Sequence, residues 1–277
     1  MGIEGNRAPV SVKNNVITEN RGIGVLNCNG LIQSNNICKN RDAGISNCDG
    51  VIRENLIKFN RAGGVYGSNA TIEYNVISGN ERNPGAGLCS CNGLIRYNVI
   101  RENYASDYAG LYQGAAKAMG GGLAYCSGTI INNIIEANAA RATAESLPLF
   151  PSGVYGYAYA YGGGFYDCDG DIRNNIVAEN YLSAVVIFNY GFAVTKGDGL
   201  YDSDGSISFC NLWMNISEES APLVSCISED PKFFDQAEHD YHHTDDSPCI
   251  DAGDPAMQYN DSCRPPGEGS PDRKSVV

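Results

Sequence analysis

The sequence predicts an all-β fold, a single right-handed parallel β-helix of about eight coils. Three observations lead to this prediction: a repeat unit found eight times, a spacing of 20 residues between the first copies, and many glycines and β-branched residues. In such a solenoid, short strands stack coil upon coil around one hydrophobic column, and the repeat is the first signal to look for. With 33 glycines in 277 residues, helices are disfavoured throughout.

The repeat is defined by columns of equivalent residues. The first column is aliphatic: Val12, Ile32, Ile52, Ile72, Ile95, Ile130, Ile172 and Ile207. Three residues later the copies have Asn15, Asn35, Asn55, Asn75, Asn98, Asn133, Asn175 and Cys210. A second aliphatic column follows, and then a second asparagine column: Asn20, Asn40, Asn60, Asn80, Asn103, Asn138, Asn180 and Asn215. A glycine precedes each of the last seven copies.

A 20-residue unit is too short for two packed helices, whereas it suits three short strands and their turns. Successive coils then lie about 4.8 Å apart, so that equivalent residues stack in columns. The Ile and Val columns are expected to face inward and form the core. The asparagine columns are expected at the bends, where their amides can bond to each other and to the turn backbone as an asparagine ladder.

Insertions lengthen one corner of the later coils. They span residues 104–121, 139–163 and 181–198, and all other corners stay short. Because neighbouring coils stack, these insertions are predicted to protrude side by side as one ledge. The chain is thus divided into a β-helix over residues 1–215 with the ledge, and a C-terminal capping segment with a mobile tail over residues 216–277.

Five cysteines share one repeat position, where Ser68 and Ser203 replace them in other copies: Cys28, Cys48, Cys91, Cys126 and Cys168. Interchange with serine favours a column of buried, reduced thiols. Disulfides and a metal site are the alternatives, because stacked Cα atoms lie within disulfide reach. Cys226, Cys249 and Cys263 lie outside the repeat and could supply one disulfide.

The composition restricts the partners. A net charge of −13 and a pI of about 4.6 disfavour nucleic acid and anionic membrane surfaces. No run of about 20 apolar residues is present, so membrane insertion is not expected. A signal peptide is not visible in this chain, and we expect that upstream sequence has been lost. The sequence does not specify an oligomeric state.

The I-x-x-N-x-I-x-x-N core over residues 12–215 resembles the bacterial right-handed parallel β-helix repeat family of the pectate-lyase-like superfamily. The segments Asp230-Pro231-Lys232-Phe233, Asp240-Tyr241-His242 and 247–255 resemble the C-terminal cap of secreted members. The resemblance implies a secreted or cell-surface bacterial protein. It also leaves the activity open, because the superfamily includes hydrolases, lyases, adhesins and tailspikes.

An acidic group on two late coils is the candidate catalytic site. Its members are Asp167, Asp169, Asp202 and Asp204, and Asp167 should stack on Asp202. Closely spaced carboxylates can act as general acid and base in glycoside hydrolysis. Two other interpretations remain open: a structural turn, since Asn or Asp occupies the Asp169 position in earlier coils, and calcium binding by Asp169 and Asp204.

The ledge contains the candidate substrate-binding residues. Tyr155, Tyr157, Tyr159 and Tyr161 alternate with Gly and Ala, and Tyr190 belongs to a similar segment. This period of two indicates strands whose aromatic rings share one face. Arg173 is the candidate for binding a carboxylate-bearing sugar, with Lys196 as a second basic candidate. His242 and His243 are a weak indication of a metal site.

Two functional classes follow. In the first, a secreted protein binds or processes an extracellular polysaccharide with the tyrosine ledge and the acidic group, as a binding protein, glycoside hydrolase or polysaccharide lyase. In the second, the chain is a non-catalytic surface or adhesin-type solenoid, and the tyrosines only pack the insertions. The exposure of the tyrosines distinguishes the two classes.

Overall fold

The computed structural model describes residues 2–111, 114–146, 155–188, 191–215, 217–250 and 252–254. Within these ranges the regular structure is entirely β, and no helix could span a membrane. Three long sheets, in which all neighbouring strands are parallel, form the walls of a right-handed β-helix. The predicted fold class is therefore confirmed.

Sheets 1 and 2 each have nine strands. The strands of sheet 1 are Ile3–Glu4, Val25–Leu26, Ile45–Ser46, Val65–Tyr66, Leu88–Cys89, Leu123–Ala124, Phe165–Tyr166, Leu200–Tyr201 and Ser217–Glu218. Those of sheet 2 are Val12–Lys13, Leu31–Gln33, Val51–Arg53, Thr71–Glu73, Leu94–Arg96, Thr129–Ile131, Asp171–Arg173, Ser206–Ser208 and Leu223–Val224. Both sheets therefore continue past residue 215 by one further strand.

Sheet 3 has eight strands: Val16–Thr18, Asn36–Cys38, Leu56–Lys58, Val76–Ser78, Val99–Arg101, Ile134–Glu136, Ile176–Ala178 and Asn211–Trp213. The register between coils matches equivalent repeat positions, so that Ile72 pairs with Ile52 on one side and Ile95 on the other. The aliphatic columns of all three sheets meet in one buried core. Their side chains are almost fully removed from water, as predicted for Ile52 and Ile72, which are 0% exposed.

The corners between sheets are sharp, because a residue with left-handed backbone conformation stands immediately before each ladder residue. Tyr74, for example, has φ of +55° and precedes Asn75. The Asn75 side chain donates to Asn98 Oδ1 at 3.0 Å and to the Ile52 carbonyl at 2.8 Å. The same bonds recur in the second asparagine column, where Asn80 donates to Asn103 at 3.0 Å. The predicted asparagine ladders are thus present at two corners of the helix.

The cysteine column lies inside the corner between sheets 1 and 2. Its five thiols are free and buried, as predicted. Each sulfur or hydroxyl in the column can accept the backbone N–H of the coil before it, as Cys48 Sγ does from Cys28 at 3.2 Å and Ser68 Oγ does from Cys48 at 3.0 Å. This bond explains why serine and cysteine interchange here. Cys226 and Cys249 are also free thiols, and Cys263 lies outside the described residues.

The insertions leave the corner between sheets 3 and 1 and form two three-stranded parallel sheets. Sheet 4 consists of Tyr104–Ala109, Ala139–Glu145 and Tyr181–Ile187, and sheet 5 of Ala115–Met119, Gly156–Tyr161 and Gly191–Lys196. The two sheets pack face to face through buried alanines, among them Ala142 and Ala158, to which Leu182 and Val186 add. The predicted single ledge is therefore a small sandwich with an alanine core.

The chain after residue 215 first completes the last coil, where Ala221 and Cys226 pack against the end of the core. It then turns back along the outer face of sheet 3. There it forms an antiparallel hairpin of Phe233–Asp235 and Asp240–His243. Phe233, Tyr241 and Cys249 cover the outward-facing Ile134 and Ile176. This closing segment, residues 229–250 and 252–254, thus covers the flank of the helix as well as following its end.

Candidate functional site

The outer face of sheet 5 is aromatic because its central strand alternates strictly. Ala158 and Ala160 point into the ledge and are 0% exposed, so Tyr157, Tyr159 and Tyr161 point out. Tyr157 stacks on Phe192 of the neighbouring strand, with ring centroids 6.0 Å apart and planes at 17°. Phe192 is 64% exposed. The tyrosines are therefore not the groups that hold the two sheets of the ledge together.

The aromatic face of the ledge continues onto sheet 1 of the helix body. Tyr161 stacks on Tyr201 with centroids 4.8 Å apart, and Tyr201 is 6.0 Å from Tyr166. Tyr166 in turn meets Tyr125 edge to face at 5.5 Å. We call the outward-facing rings of the ledge and of sheet 1 the aromatic surface; its members are Tyr125, Tyr157, Tyr159, Tyr161, Tyr166, Phe192 and Tyr201. Large aromatic side chains at a surface are typical of binding sites.

Charged groups border the aromatic surface. The Lys117 ammonium lies 5.8 Å from the Tyr159 ring centre, and that of Lys196 lies 5.9 Å from Tyr201. Glu219 accepts hydrogen bonds from both Lys196 and the Tyr201 hydroxyl. Burial and the neighbouring carboxylate of Glu219 raise the pKa of Tyr201, so its hydroxyl remains a hydrogen-bond donor at neutral pH. These contacts fix the orientation of the ring that joins ledge and helix body.

The acidic group begins where the aromatic surface ends. Asp167 and Asp202 directly follow Tyr166 and Tyr201, and both have left-handed backbone with φ of +49° and +52°. Burial raises the pKa of Asp167, and the negative charges of Asp169, Asp202 and Asp204 raise it further. The other three predicted aspartates are thus close enough to act on Asp167. This arrangement can hold a proton on Asp167 more firmly than an isolated carboxyl would.

Asp169 has a role in the turn. Its Oδ1 accepts the backbone N–H of Asp204 at 2.9 Å, as Asp49 Oδ1 does from Asn69 in earlier coils. Asn29 Oδ1 likewise accepts the backbone N–H of Asp49 at 3.1 Å. No three His, Cys, Asp or Glu side chains are arranged to hold a metal ion in the part of the chain that the structure describes. The geometry therefore supports the turn interpretation of Asp169 more directly than calcium binding.

The remaining predicted residues are placed as follows. Tyr155 precedes the strand Gly156–Tyr161 and is 59% exposed, while Tyr190 lies outside the described residues. Arg173 lies on sheet 2, where its guanidinium forms ion pairs with Asp171 at 2.9 Å and Asp254 at 3.3 Å. Arg173 thus anchors the closing segment. His242 Nδ1 lies 2.5 Å from Asp240 Oδ1 on the hairpin.

Reasoning from the sequence found the ledge tyrosines and the aspartates but not the rings that connect them. Tyr166 and Tyr201 are the second residue after the repeat glycine, a position that Tyr66 also fills in an earlier coil. Because the first residue after the glycine points inward, the second points outward. Tyrosine at that outward position in two consecutive coils, Tyr166 and Tyr201, was the available signal.

This chain matches no protein-family model, and no curated protein or solved structure shows significant similarity to it.

Proposed function

We propose that the protein binds an extracellular polysaccharide along the aromatic surface, as a secreted or cell-surface solenoid of the pectate-lyase-like type. The proposal rests on the difference between the two faces of sheet 5. Alanines make the contact between the two sheets of the ledge, while the tyrosines and Phe192 face solvent. A ledge that served only structure would have no need of an aromatic outer face. Aromatic side chains that are half in water supply apolar contact area together with hydroxyl groups for polar ligands.

The charge of the site favours a neutral polysaccharide. Four aspartates adjoin the aromatic surface, and the whole chain carries a net charge of −13. A sugar with carboxylate groups would be repelled there. Arg173, the candidate partner for such a sugar, is engaged with Asp171 and Asp254 instead. Hydrolysis at Asp167 and Asp202 is therefore a better-supported activity for this site than lyase chemistry.

The test compares aromatic variants that differ only in location. We expect the double variant Tyr157→Ala/Tyr159→Ala to lose at least about tenfold in affinity on a polysaccharide panel, which corresponds to about 1.4 kcal/mol. Tyr74→Ala is the matched control. Tyr74 is 50% exposed and does not belong to the ledge, and its ring stacks on that of Tyr97 with centroids 5.0 Å apart. Equal binding by the double variant and the wild type would rule out the aromatic surface as the binding site.

A second measurement separates binding from catalysis. The double variant Asp167→Asn/Asp202→Asn keeps the shape of the corner and removes two charges. If the site hydrolyses its polysaccharide, release of reducing ends should stop while binding to the aromatic surface persists. A passive solenoid is the alternative, and the turn bond of Asp169 favours it. The passive solenoid would be supported if no polysaccharide binds and no variant changes the binding or the release of reducing ends.

A further inference from the structure

An open cavity of about 440 Å³ lies between the hairpin of the closing segment and the outer face of sheet 3. Glu102 and Glu136 of two adjacent coils form its floor, and the hairpin contributes the other lining residues, Gln236, Ala237, His239 and Tyr241. We propose that this cavity binds a small organic cation through a primary ammonium group. The cavity is separate from the aromatic surface, and the proposal does not depend on polysaccharide binding.

The hairpin is held in place over sheet 3 by its own side chains. The Tyr241 hydroxyl donates to the Glu136 carboxylate at 2.5 Å, and the Gln236 amide donates to the same carboxylate. Phe233 meets the Tyr241 ring edge to face, with centroids 5.1 Å apart, and packs with Ile134 and Ile176. The walls of the cavity are therefore fixed by packing, as expected of a largely pre-formed binding site.

The electrostatics of the cavity are negative. Glu136 is only 6% exposed, and both of its hydrogen-bond donors, Tyr241 and Gln236, are neutral. Glu102 forms an ion pair with Arg101 at 2.8 Å. Glu179, one coil beyond Glu136, accepts from Gln236 at 3.2 Å and adds a third carboxylate. Arg101, which lies opposite Glu136 in the strand register, forms its ion pair with Glu102. A cation that enters the cavity can therefore gain from the largely buried Glu136 carboxylate.

The size and lining favour an organic cation over a bare metal ion. A volume of about 440 Å³ falls in the range of small-molecule pockets. The residues that the structure describes contain no cluster of three His, Cys, Asp or Glu side chains arranged for a metal. The His239 and Tyr241 rings lie 6.4 Å apart at 23°, and aromatic faces attract cations.

A primary ammonium fits the hydrogen-bonding groups of the cavity. It has three N–H donors, and each ionised carboxylate can accept about four hydrogen bonds. Glu136 uses two acceptor sites, for Tyr241 and Gln236, so acceptors remain for a ligand. A quaternary ammonium would lack these donors. The chemistry is shared by amino sugars and alkylamines, and the choice of probes distinguishes these two sources.

The test is a titration of the isotope-labelled full chain by NMR with four probes. We expect butylamine and glucosamine to shift the signals of Gln236, His239 and Tyr241 with saturation. Glucose and N-acetylglucosamine, which lack the ammonium, should leave them in place. If glucosamine binds more tightly than butylamine, the ligand class is an amino sugar. If butylamine binds more tightly, the ligand class is an alkylamine. Absence of saturable shifts at about 50 mM, or equal binding of N-acetylglucosamine and glucosamine, would overturn the proposal.

Variants locate the effect in the cavity. Glu136→Gln keeps the shape of the side chain and should weaken the binding of the better amine about tenfold or more, since hydrogen bonds to charged groups are the stronger ones. Glu102→Gln is the second variant, because its exposed side chain is not needed to hold the hairpin. Glu19→Gln is the matched control for Glu102→Gln. Both glutamates have left-handed backbone and directly follow a strand of sheet 3, but Glu19 belongs to the first coil. Unchanged binding in both cavity variants, or equal weakening in Glu19→Gln, would contradict the site.

Discussion

Asparagine suits the bends of this protein because one side chain connects three consecutive coils. The Oδ1 of Asn75 accepts two hydrogen bonds from Asn55, one from its backbone N–H at 2.9 Å and one from the Asn55 side-chain amide at 3.0 Å. The Nδ2 of Asn75 donates to the Ile52 carbonyl of the preceding coil and to Asn98 of the following one. Asn75 is only 1% exposed, so water cannot replace these bonds. The ladder thus satisfies backbone groups that the corner leaves outside the sheets.

Replacing one inner rung should therefore be costly. We expect Asn75→Ala to lower the free energy of unfolding by about 2–4 kcal/mol, because several buried donors and acceptors lose their partners together. Asn15→Ala is the control: Asn15 belongs to the first coil and is exposed, and its substitution should cost less than about 1 kcal/mol. Urea denaturation of both variants measures the difference. Similar losses in the two variants would mean that the ladder contributes little beyond packing.

The aspartate corner should make stability depend on pH. Burial and the neighbouring carboxylates raise the pKa of Asp167 above its ordinary 3.8 in the folded protein. The folded state then holds this proton more tightly than the unfolded state, so stability falls as pH rises from about 3.8 through the raised pKa. Asp167→Asn should remove this loss, and its advantage in Tm over the wild type should grow with pH.

The measurement is thermal unfolding between about pH 3.5 and pH 7. Asp49→Asn serves as control, because Asp49 stands in the same corner between neutral neighbours, Asn29 and Asn69. A difference between wild type and Asp167→Asn that stays constant across the range would contradict a raised pKa of Asp167 in the folded protein.

At the scale of elements, the ledge shows how small side chains allow two short sheets to pack. Ala142 and Ala158 belong to the central strands of sheets 4 and 5, and both are at most 1% exposed. Alternation places their larger neighbours, such as Thr143 and Tyr159, on the outer faces. Because alanine loses almost no side-chain entropy on burial, a narrow interface of this kind can form over few residues.

Enlarging one alanine should separate the two sheets. We expect Ala142→Leu to destabilise the ledge by about 1–3 kcal/mol through overpacking. Thr143→Leu, next in the chain but on the outer face, is the control and should have little effect. Proteolysis limited to the insertions reports opening of the ledge without unfolding of the helix body. Equal resistance of Ala142→Leu and Thr143→Leu would contradict the packing described here.

The columns could be predicted from the sequence because each depends on a local pattern that recurs. The alternation at Tyr157 to Tyr161 likewise predicted a strand with one aromatic face. The position of the closing segment could not be predicted, since the contact of Tyr241 with Glu136 joins residues 105 positions apart in the sequence. The cavity beside that contact was missed for the same reason. The role of Arg173 also depends on this segment, because its partner Asp254 belongs to it.

The whole molecule is stabilised one coil at a time. Each coil contacts only its neighbours, apart from the ledge and the closing segment, so stability is expected to be a sum of coil and interface contributions. Ile77 has a paired strand on both sides, at Ile57 and Ile100. Among the residues that the structure describes, Ile17, in the same column, belongs to the first strand of sheet 3 and has a paired strand on one side, at Ile37.

The same substitution should therefore have different effects at the two positions. We expect Ile77→Ala to cost about 2–5 kcal/mol and Ile17→Ala clearly less, because the terminal coil can relax into the space created. Hydrogen exchange should likewise be slowest in the central coils and faster towards the first coil. Equal losses for the two variants, together with uniform protection, would indicate a single cooperative unit instead of a chain of coupled coils.

The coils over residues 24–63 consist of 20-residue units in identical register, with no insertion at any corner. They can therefore act as a spacer whose length is set in whole steps. Duplicating residues 44–63 would add one complete coil and move the ledge about 4.8 Å further from the amino terminus without changing the ledge itself. The distance at which this protein presents its aromatic face and the chemistry of that face are thus two independent variables, each encoded in a separate stretch of the chain.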